Sequence, residues 1–352
     1  MTGPAGGRVY LDWNATAPLR PEARAAMIAA MDMVGNPASV HAEGRAARAI
    51  IERAREEVAA LAGCPPAEVV FTSGATEAAA LVLAGARRIA VPATAHDALH
   101  GWAGPGDGDG PPEVVCWPMA DSETGILHPP PDCPTGAVLL ADASQIAGRL
   151  PLAADPAPGL PRPALILSAH KIGGPKGVGA LILPEGVAPH RLLRGGGQER
   201  GRRPGTENVV GIAGFGAAAA AARRDLASGV WRGVENLRDM LENRLAAAAP
   251  DLVVIGAGRA RLPNTSCFAL PGWKGETQVM QMDLAGFAVS AGSACSSGRV
   301  GPSRVLQALG HDARIAASAI RVSLGPATTG AEIDAFARVW IDHYRRRLGR
   351  AA

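Results

Sequence analysis

One cysteine of this sequence stands in surroundings that favour chemical reactivity. Cys295 lies in a run from Ser290 to Gly298 whose other members are all Ser, Ala or Gly. A loop of that kind supplies none of the apolar packing in which most cysteines are buried. Because the thiolate is the nucleophilic form of cysteine, an accessible, hydrated loop suits a sulfur atom that must reach a substrate. The pattern therefore predicts a reactive thiol at position 295.

The other four cysteines carry no such signal. The total of five is odd and no pair has C-x-x-C spacing, which argues against a disulfide framework and a structural zinc site. We therefore expect no metal in the functional site. Cys267 is interpreted as an ordinary strand cysteine, and the remaining ones are Cys64, Cys116 and Cys133.

A lysine follows the end of an apolar strand. The strand is predicted over 164–167, and Ser168, His170 and Lys171 come before a glycine-rich turn at 173–174. A lysine that carries an aldehyde cofactor needs a fixed stem and room for a planar ring, and a strand end backed by glycines supplies both. A solvated lysine in a surface turn is an equally good local interpretation.

Two further segments at strand ends contain residues that could bind a cofactor. Asp142 closes an apolar strand, where a carboxylate can pair with a protonated pyridine nitrogen, and Gln145 follows within reach of a ring oxygen. The run 72–76 begins a predicted helix, whose first N–H groups can bind phosphate. Helix capping explains either segment as well when it is taken alone.

These residues need a framework, which the chain pattern predicts. Short apolar strands alternate with helical stretches from residue 68 to 183, which indicates an α/β layer with a mainly parallel sheet. After Arg223 the pattern becomes α+β, and the helix near 229–249 is a plausible connector. A chain of 352 residues is long enough for two domains.

Composition and charge exclude several classes of protein. With 35 basic and 32 acidic residues there is no basic footprint, so we expect no nucleic-acid partner. The longest uncharged stretch near mid-chain, 209–222, is too short to span a bilayer, and no apolar signal segment follows Met1. We expect a soluble, cytoplasmic protein without a membrane partner.

Taken in order, the motifs resemble those of the NifS/IscS-like cysteine desulfurases of the class V aminotransferase group. The resemblance runs almost from end to end of the chain. It rests on residues 10–16, 35–41, 71–77, 168–177, 193–200, 203–208, 261–265, 290–298 and 320–325.

The resemblance implies a fold and a domain division. The fold is that of the PLP-dependent transferases of fold type I, with a mainly parallel, seven-stranded-type sheet in the large domain and a smaller α+β C-terminal domain. Residues 15–245 would form the large PLP-binding domain. Residues 1–14 and 246–352 would form the small domain that carries the cysteine loop.

The resemblance also implies roles for residues of the cofactor site. Lys171 would hold pyridoxal 5'-phosphate and move the substrate α-proton, His96 would stack on the ring, Asp142 would pair with the ring nitrogen, and Gln145 would bind the ring oxygen. The implied phosphate ligands are Ala75, Thr76, Ser168, His170 and, from the other subunit of a homodimer, Thr206.

The same resemblance implies the substrate and the reaction. Arg321 would clamp the carboxylate of L-cysteine, with Asn14 beside it. The Cys295 thiolate would take the substrate sulfur as a persulfide, releasing L-alanine, and a scaffold or other acceptor protein would receive the sulfur, as in iron–sulfur cluster assembly. Two alternatives are a degenerate PLP-fold binding or assembly subunit, and a PLP enzyme for another amino acid such as selenocysteine.

One segment departs from the family pattern. The family has Asn-Asn-Glu-Thr-Gly near the ring, whereas residues 121–125 read Asp-Ser-Glu-Thr-Gly. Only 24 residues, 97–120, separate His96 from Asp121. A strand–helix unit is therefore expected to be missing, with a loop at 101–112 in its place. If Asp121 faced the ring oxygen, its charge would weaken cofactor retention.

Overall fold

The computed structural model describes residues 7–104, 109–152, 159–291 and 302–351, which form two compact units. The larger unit contains residues 16–120 and 128–228, and the smaller unit contains the described parts of 1–15, 121–127 and 229–352. The helix of residues 230–248 belongs to the smaller unit, whereas the expected division placed it in the large domain as far as 245. The reason is packing, because this helix contacts the C-terminal helix and a strand of the smaller unit.

The larger unit is built on a six-stranded sheet, in the order β2-β7-β6-β5-β4-β3. All of its strands except β7 run in the same direction, since β7 is antiparallel to both of its neighbours and the remaining pairs are parallel. The strands are β2 (Val69–Thr72), β3 (Ile89–Ala90), β4 (Val114–Pro118), β5 (Val138–Asp142), β6 (Ala164–Ser168) and β7 (Gly179–Ile182).

Helices cover both faces of this sheet, which explains its continuous apolar strands. Successive residues of a strand point to opposite faces. Val70 accordingly packs in the core beneath α3, while Phe71 makes an edge-on ring contact with Phe215 of α5 at 6.3 Å. The helices are α1 (Pro21–Met31), α2 (Ala42–Ala62), α3 (Ala75–Leu83), α4 (Asp97–His100) and α5 (Val209–Ser228). Within the described ranges, no helix has both the length and the apolar character that crossing a membrane requires.

The edge of the sheet is shorter than the family pattern implies. β3 pairs directly with β4 in parallel register, Ile89 with Val114. Between them, the described part of the connection contains one four-residue helix, α4, and no strand. The sheet therefore has six strands in the described residues, not the seven expected, and the described chain between His96 and β4 contains no strand.

The smaller unit is α+β, as predicted. Its antiparallel sheet has the order β11-β12-β9-β8, and β1 pairs in parallel with β10. Aromatic rings fill its core, where Trp340 contacts Phe268, Trp273 and Tyr344. Its strands are β1 (Val9–Tyr10), β8 (Val253–Val254), β9 (Thr265–Ala269), β10 (Phe287–Ala288), β11 (Ser290–Ala291) and β12 (Ala319–Ser323). Its helices are α6 (Val230–Ala248), α7 (Gly275–Leu284), α8 (Arg304–Ala308), α9 (Ala313–Ala316) and α10 (Gly330–Ala351).

Candidate active site

Two of the expected cofactor ligands end neighbouring strands of the larger unit. β5 and β6 are parallel, with Asp142 opposite Ile166, and Ser168 lies two residues further along β6. The Ala143 N–H donates to the Ile166 carbonyl at 3.1 Å, which extends the pairing past the end of β5. Since the carboxyl ends of parallel strands share one edge of a sheet, Asp142 and Ser168 emerge side by side.

The strand β7 brings a third segment to this edge. Gly179 of β7 is opposite Thr72 on one side and Ser168 on the other. Strands in a sheet are about 4.8 Å apart, which places the ends of β2 and β6 roughly 10 Å from each other. The turn after β2 and the lysine segment after β6 therefore leave the sheet at the same level.

Gly179 lies against the backbone of the neighbouring turn, which leaves no room for a side chain at this position. A Cβ at position 179 would lie 2.7 Å from the Gly74 Cα and 2.6 Å from the Leu167 carbonyl oxygen. Any larger residue would therefore displace the turn that follows β2. Gly179 is not among the residues predicted to form the site, although a glycine in a buried strand is a known sign of close backbone approach.

The N-terminus of α3 is suited to bind an anion. No side chain caps it, so its first N–H groups, including those of Ala75 and Thr76, are not used by a capping residue. Glu77 instead accepts a hydrogen bond from the Ser73 N–H at 2.6 Å. Uncapped N–H groups at the start of a nine-residue helix, at the sheet edge that carries Ser168, fit a phosphate group.

The lysine segment forms one turn of 3-10 helix, Ala169–Lys171. His170 lies in it, with Nδ1 3.2 Å from the Thr16 hydroxyl. Burial, together with the nearby Lys171 and Lys176 charges, lowers the pKa of His170 to about 4. The imidazole is therefore neutral at neutral pH, and it keeps one N–H that can donate to an anion.

Gln145 is oriented by a buried arginine that the sequence analysis missed. Arg149, which is buried, donates through Nη1 to both the side-chain and the main-chain oxygen of Gln145. This contact fixes the amide through its acceptor oxygen, and the amide nitrogen is the group with the donor chemistry that a ring oxygen requires. Asp142 is held in a similar way, because its Oδ1 accepts from the Ser144 N–H at 2.9 Å. The donor set thus fits a phosphorylated pyridine cofactor.

His96 and Thr206 are both exposed in the larger unit. His96 precedes α4 and caps it, with Nδ1 accepting from the Ala98 N–H at 3.1 Å. This bond fixes the imidazole at one nitrogen and leaves its surface accessible, as stacking on a ring requires. Thr206 lies just before α5, on the loop that follows Pro204.

The expected substrate ligands lie together in the smaller unit. Arg321 donates through Nη1 to the Ser122 carbonyl at 2.8 Å, and Asn14 donates to the same oxygen at 3.3 Å. Arg321 also forms an ion pair with Asp12 at 2.7 Å. Asn14 therefore lies beside Arg321, and Asp12 is an additional partner of the guanidinium.

The Asn14 amide is part of a buried polar network. Its oxygen accepts from Asn264 at 3.0 Å, and its nitrogen also donates to the Thr265 hydroxyl at 2.9 Å. Asn14 is completely buried, so the geometry favours a positioning role over direct contact with a substrate.

Asp121 does not present its carboxylate as the departure from the family pattern suggested. Its Oδ1 accepts from the Thr124 N–H at 2.6 Å and from the Glu123 N–H at 3.1 Å, and its Oδ2 accepts from the Thr124 hydroxyl. A short carboxylate that closes its own turn is a common use of aspartate. These bonds give the carboxylate a structural role within its own turn, and its effect on cofactor retention stays a prediction.

Glu123, which the sequence analysis left without a role, is a buried acid. Burial, with a contribution from the Asp121 charge, raises the pKa of Glu123 to about 7, although Ser303, Arg321 and Arg304 oppose the rise. The Ser303 hydroxyl donates to Glu123 and also accepts from the Leu306 N–H at 3.1 Å, so it caps α8.

Cys295 lies outside the described residues. The four other cysteines are poor thiolates: burial raises the pKa of Cys64 and of Cys116 to about 12, and also raises the pKa values of Cys133 and Cys267. Cys267 is fully buried in β9, which confirms its interpretation as a strand cysteine.

Known proteins resemble this chain over nearly its whole length. The profile of the Aminotransferase class-V family matches residues 9–99 and 110–336. The chain is 41% identical to a cysteine desulfurase of Cereibacter sphaeroides over 93% of both sequences, and 35% identical to the IscS-like cysteine desulfurase of Mycobacterium tuberculosis, again over 93% of each. The solved structure of a NifS-like protein superposes with a TM-score of 0.85 at 30% identity, covering 96% of this chain and 99% of that one.

Proposed function

Because the chain belongs to the Aminotransferase class-V family and is a PLP-dependent cysteine desulfurase, we propose that it holds the cofactor at the sheet edge formed by β2, β5 and β6. The observation that carries this assignment is the pairing of both Thr72 and Ser168 with Gly179, one on each side of β7. It brings the uncapped start of α3 and the lysine segment to one edge, at a spacing suited to a phosphorylated ring.

Each group of the cofactor has a partner of matching chemistry in the larger unit. The Asp142 carboxylate would pair with the pyridine nitrogen, and the Gln145 amide would donate to the ring oxygen. His96 would stack on the ring, and the ε-amino group of Lys171 would hold the cofactor. Its phosphate would be bound by Ala75, Thr76, Ser168 and the neutral His170. When bound, PLP supplies an electron sink for negative charge at the substrate α-carbon.

The substrate, L-cysteine, is fixed by its carboxylate. Arg321 presents a planar guanidinium that can bind a carboxylate through two parallel hydrogen bonds. Asn14 supports it through their shared contact with the Ser122 carbonyl. Lys171 then removes the proton from the α-carbon and returns one to the product carbon skeleton, which leaves as L-alanine.

The sulfur is taken by Cys295. Its thiolate attacks the substrate sulfur, so that an S–S bond forms as the bond between sulfur and the substrate β-carbon breaks, and the electron pair of that bond passes to the carbon fragment. The product on the protein is a persulfide. The raised thiol pKa values of the other four cysteines support this choice, because none of those thiols is prepared as a nucleophile.

The persulfide sulfur passes to a scaffold or acceptor protein, as in iron–sulfur cluster assembly, in the cytoplasm. The active unit is a homodimer, because Thr206 serves the cofactor phosphate of the second subunit. An isolated subunit would lack this ligand. Light scattering of the holoprotein should report two copies of the chain.

The assignment is tested by two measurements on purified holoprotein. Cys295→Ala should keep the visible cofactor spectrum and its change on adding cysteine, yet form no persulfide. Cys64→Ala, the matched control, should form it normally. Borohydride reduction followed by peptide mapping should place the pyridoxyl group on Lys171. Persulfide formation by Cys295→Ala, or a label on Lys176, would overturn the corresponding role.

A further inference from the structure

The loop at 198–205 contains an unusual backbone. Glu199 and Arg200 are consecutive non-glycine residues with positive φ, at 47° and 58°. This left-handed conformation is unfavourable for residues that carry a Cβ, and it persists only where the surrounding structure enforces it. The two residues lie a few positions before Thr206.

A buried ion pair enforces the conformation. Arg55 of α2 binds the Glu199 carboxylate through two parallel hydrogen bonds of 2.8 Å each, and the two side chains are 4% and 2% exposed. Glu199 also accepts from the Phe71 N–H at 2.9 Å, and the Arg55 guanidinium lies over the Phe71 ring. Phe71 is the residue of β2 before Thr72, so the loop is attached to the strand that leads into the phosphate-binding turn.

A second ion pair attaches the loop on the other side of that turn. Arg203 Nε lies 2.8 Å from Glu77 Oε1, and Glu77 Oε2 accepts from the Ser73 N–H. Burial would raise the pKa of Glu77, but the hydrogen bonds from Arg203 and Ser73 outweigh it and lower the pKa, so Glu77 stays ionised. The contacts of Glu199 and Arg203 therefore bracket the turn at 72–76.

We propose that Glu199 and Arg203 are positioning residues, which attach the loop at 198–205 to the phosphate-binding turn of their own subunit. This attachment places Thr206 where it can bind the cofactor phosphate of the second subunit. The inference rests on the proposed homodimer. It gives a functional reason for the positive φ angles of Glu199 and Arg200 and for the buried Arg55–Glu199 ion pair. None of these residues is among the proposed cofactor ligands.

Cofactor affinity of the apoprotein, titrated by visible absorbance, is the first test. Glu199→Gln keeps the shape and acceptor oxygen of the side chain but removes the charge that Arg55 holds, and we expect affinity to fall about tenfold. Glu57→Gln is the matched control. Glu57 lies on α2, as Arg55 does, but it pairs with Arg223 at the surface, where both side chains are more than 40% exposed. Unchanged affinity in Glu199→Gln would contradict the proposal.

Arg203 offers a second variant that leaves the buried pair intact. Arg203→Gln should weaken cofactor binding, and Arg203→Lys should restore part of it, since a lysine can still reach the Glu77 carboxylate. An equal loss in both variants would argue against the contact with Glu77 as the cause. Thermal unfolding of each apoprotein separates misfolding from misplacement of the loop.

Mixed dimers decide whether the effect acts on the second subunit. Consider a dimer of one Glu199→Gln subunit and one Lys171→Ala subunit. Only the Glu199→Gln subunit keeps Lys171, so lysine-linked cofactor forms only there. The phosphate of that cofactor contacts the loop of the Lys171→Ala subunit, in which Glu199 is unchanged. We expect normal affinity there. We expect weak affinity in the wild-type subunit of a dimer whose other chain carries both substitutions. The reverse result would overturn the proposal.

Thr206→Ala separates failure of this inference from failure of the proposed function. If Thr206→Ala in the same mixed dimers has no effect across subunits, the assigned role of Thr206 is wrong. If Thr206→Ala acts across subunits and Glu199→Gln does not, the proposed function stands and the positioning role of Glu199 is wrong.

Discussion

The backbone of Gly74 lies where a side chain at Gly179 would have to be, since a Cβ at 179 would be 2.7 Å from the Gly74 Cα. Heavy atoms do not approach so closely, so the turn that leads into α3 sits over β7 only because residue 179 is glycine. The position of the phosphate-binding turn is therefore set by a residue that is expected to touch no ligand.

Gly179→Ala should accordingly weaken cofactor binding more than it weakens the fold. The added methyl group must push away the backbone of the turn, not a flexible side chain, so the N–H groups of α3 move from their positions. We expect cofactor affinity to fall about tenfold. Gly233→Ala, at an exposed position of α6 with no atom within 4 Å of the new Cβ, is the control and should leave affinity unchanged. Absorbance titration of both apoproteins measures the difference.

Gln145→Glu should separate binding from stability. The new carboxylate strengthens the contact with Arg149, so the melting temperature should hold or rise. It removes the donor that faces the ring oxygen and adds a negative charge beside it, so cofactor affinity should fall about tenfold or more. Normal affinity in Gln145→Glu would show that this side chain does not face the ring oxygen.

Asp12→Asn should destabilise the protein, because it removes the carboxylate that forms an ion pair with the buried Arg321. Arg321 is 1% exposed, and removing one member of a buried pair costs about 2 kcal/mol or more. Denaturant unfolding measures the change. Asp283→Asn is the control, because Asp283 pairs with Arg8 at the surface, where such pairs contribute less than about 1 kcal/mol. Equal effects in the two variants would show that Arg321 does not depend on Asp12.

Glu123 should make stability depend on pH. Its pKa is about 7 in the folded protein against an ordinary value of 4.5, so between these limits the folded state keeps a proton that the unfolded state has released. The free energy of unfolding therefore falls as pH rises through this window, by at most about 3 kcal/mol.

Glu123→Gln removes the proton that responds to pH. The variant should match the parent protein near pH 4.5 and exceed it in unfolding free energy above pH 7. Glu276→Gln, at an exposed position in the same unit, should leave the parent's pH dependence intact. A Glu123→Gln protein with the parent's full pH dependence would assign that dependence to other groups.

Residues at strand ends could be predicted from the sequence because their signal is local. Asp142 and Ser168 each end an apolar run, and such a run followed by a polar residue predicts a strand and its edge without any knowledge of the fold. The α+β character of the C-terminal third was predictable for the same reason.

Residues that act through distant contacts gave no such signal. Arg55 and Glu199 are 144 positions apart, and nothing in either local sequence indicates the other. Gly179 is required by Gly74, which lies more than a hundred residues earlier. The role of Asp121 also depends on local contacts that the motif alone does not reveal, since its carboxylate accepts hydrogen bonds from its own turn.

The two-residue strand β3 has one neighbour in the sheet, β4, whereas β5 and β6, which end in Asp142 and Ser168, are each paired on both sides. Loss of material at this edge breaks hydrogen bonds to a single strand and leaves the registers of the central strands unchanged. A lineage can therefore shorten or lengthen the chain between His96 and Val114 without rebuilding the catalytic framework. The same property makes this stretch a place where a protein engineer can insert a new segment while the centre of the sheet stays as it is.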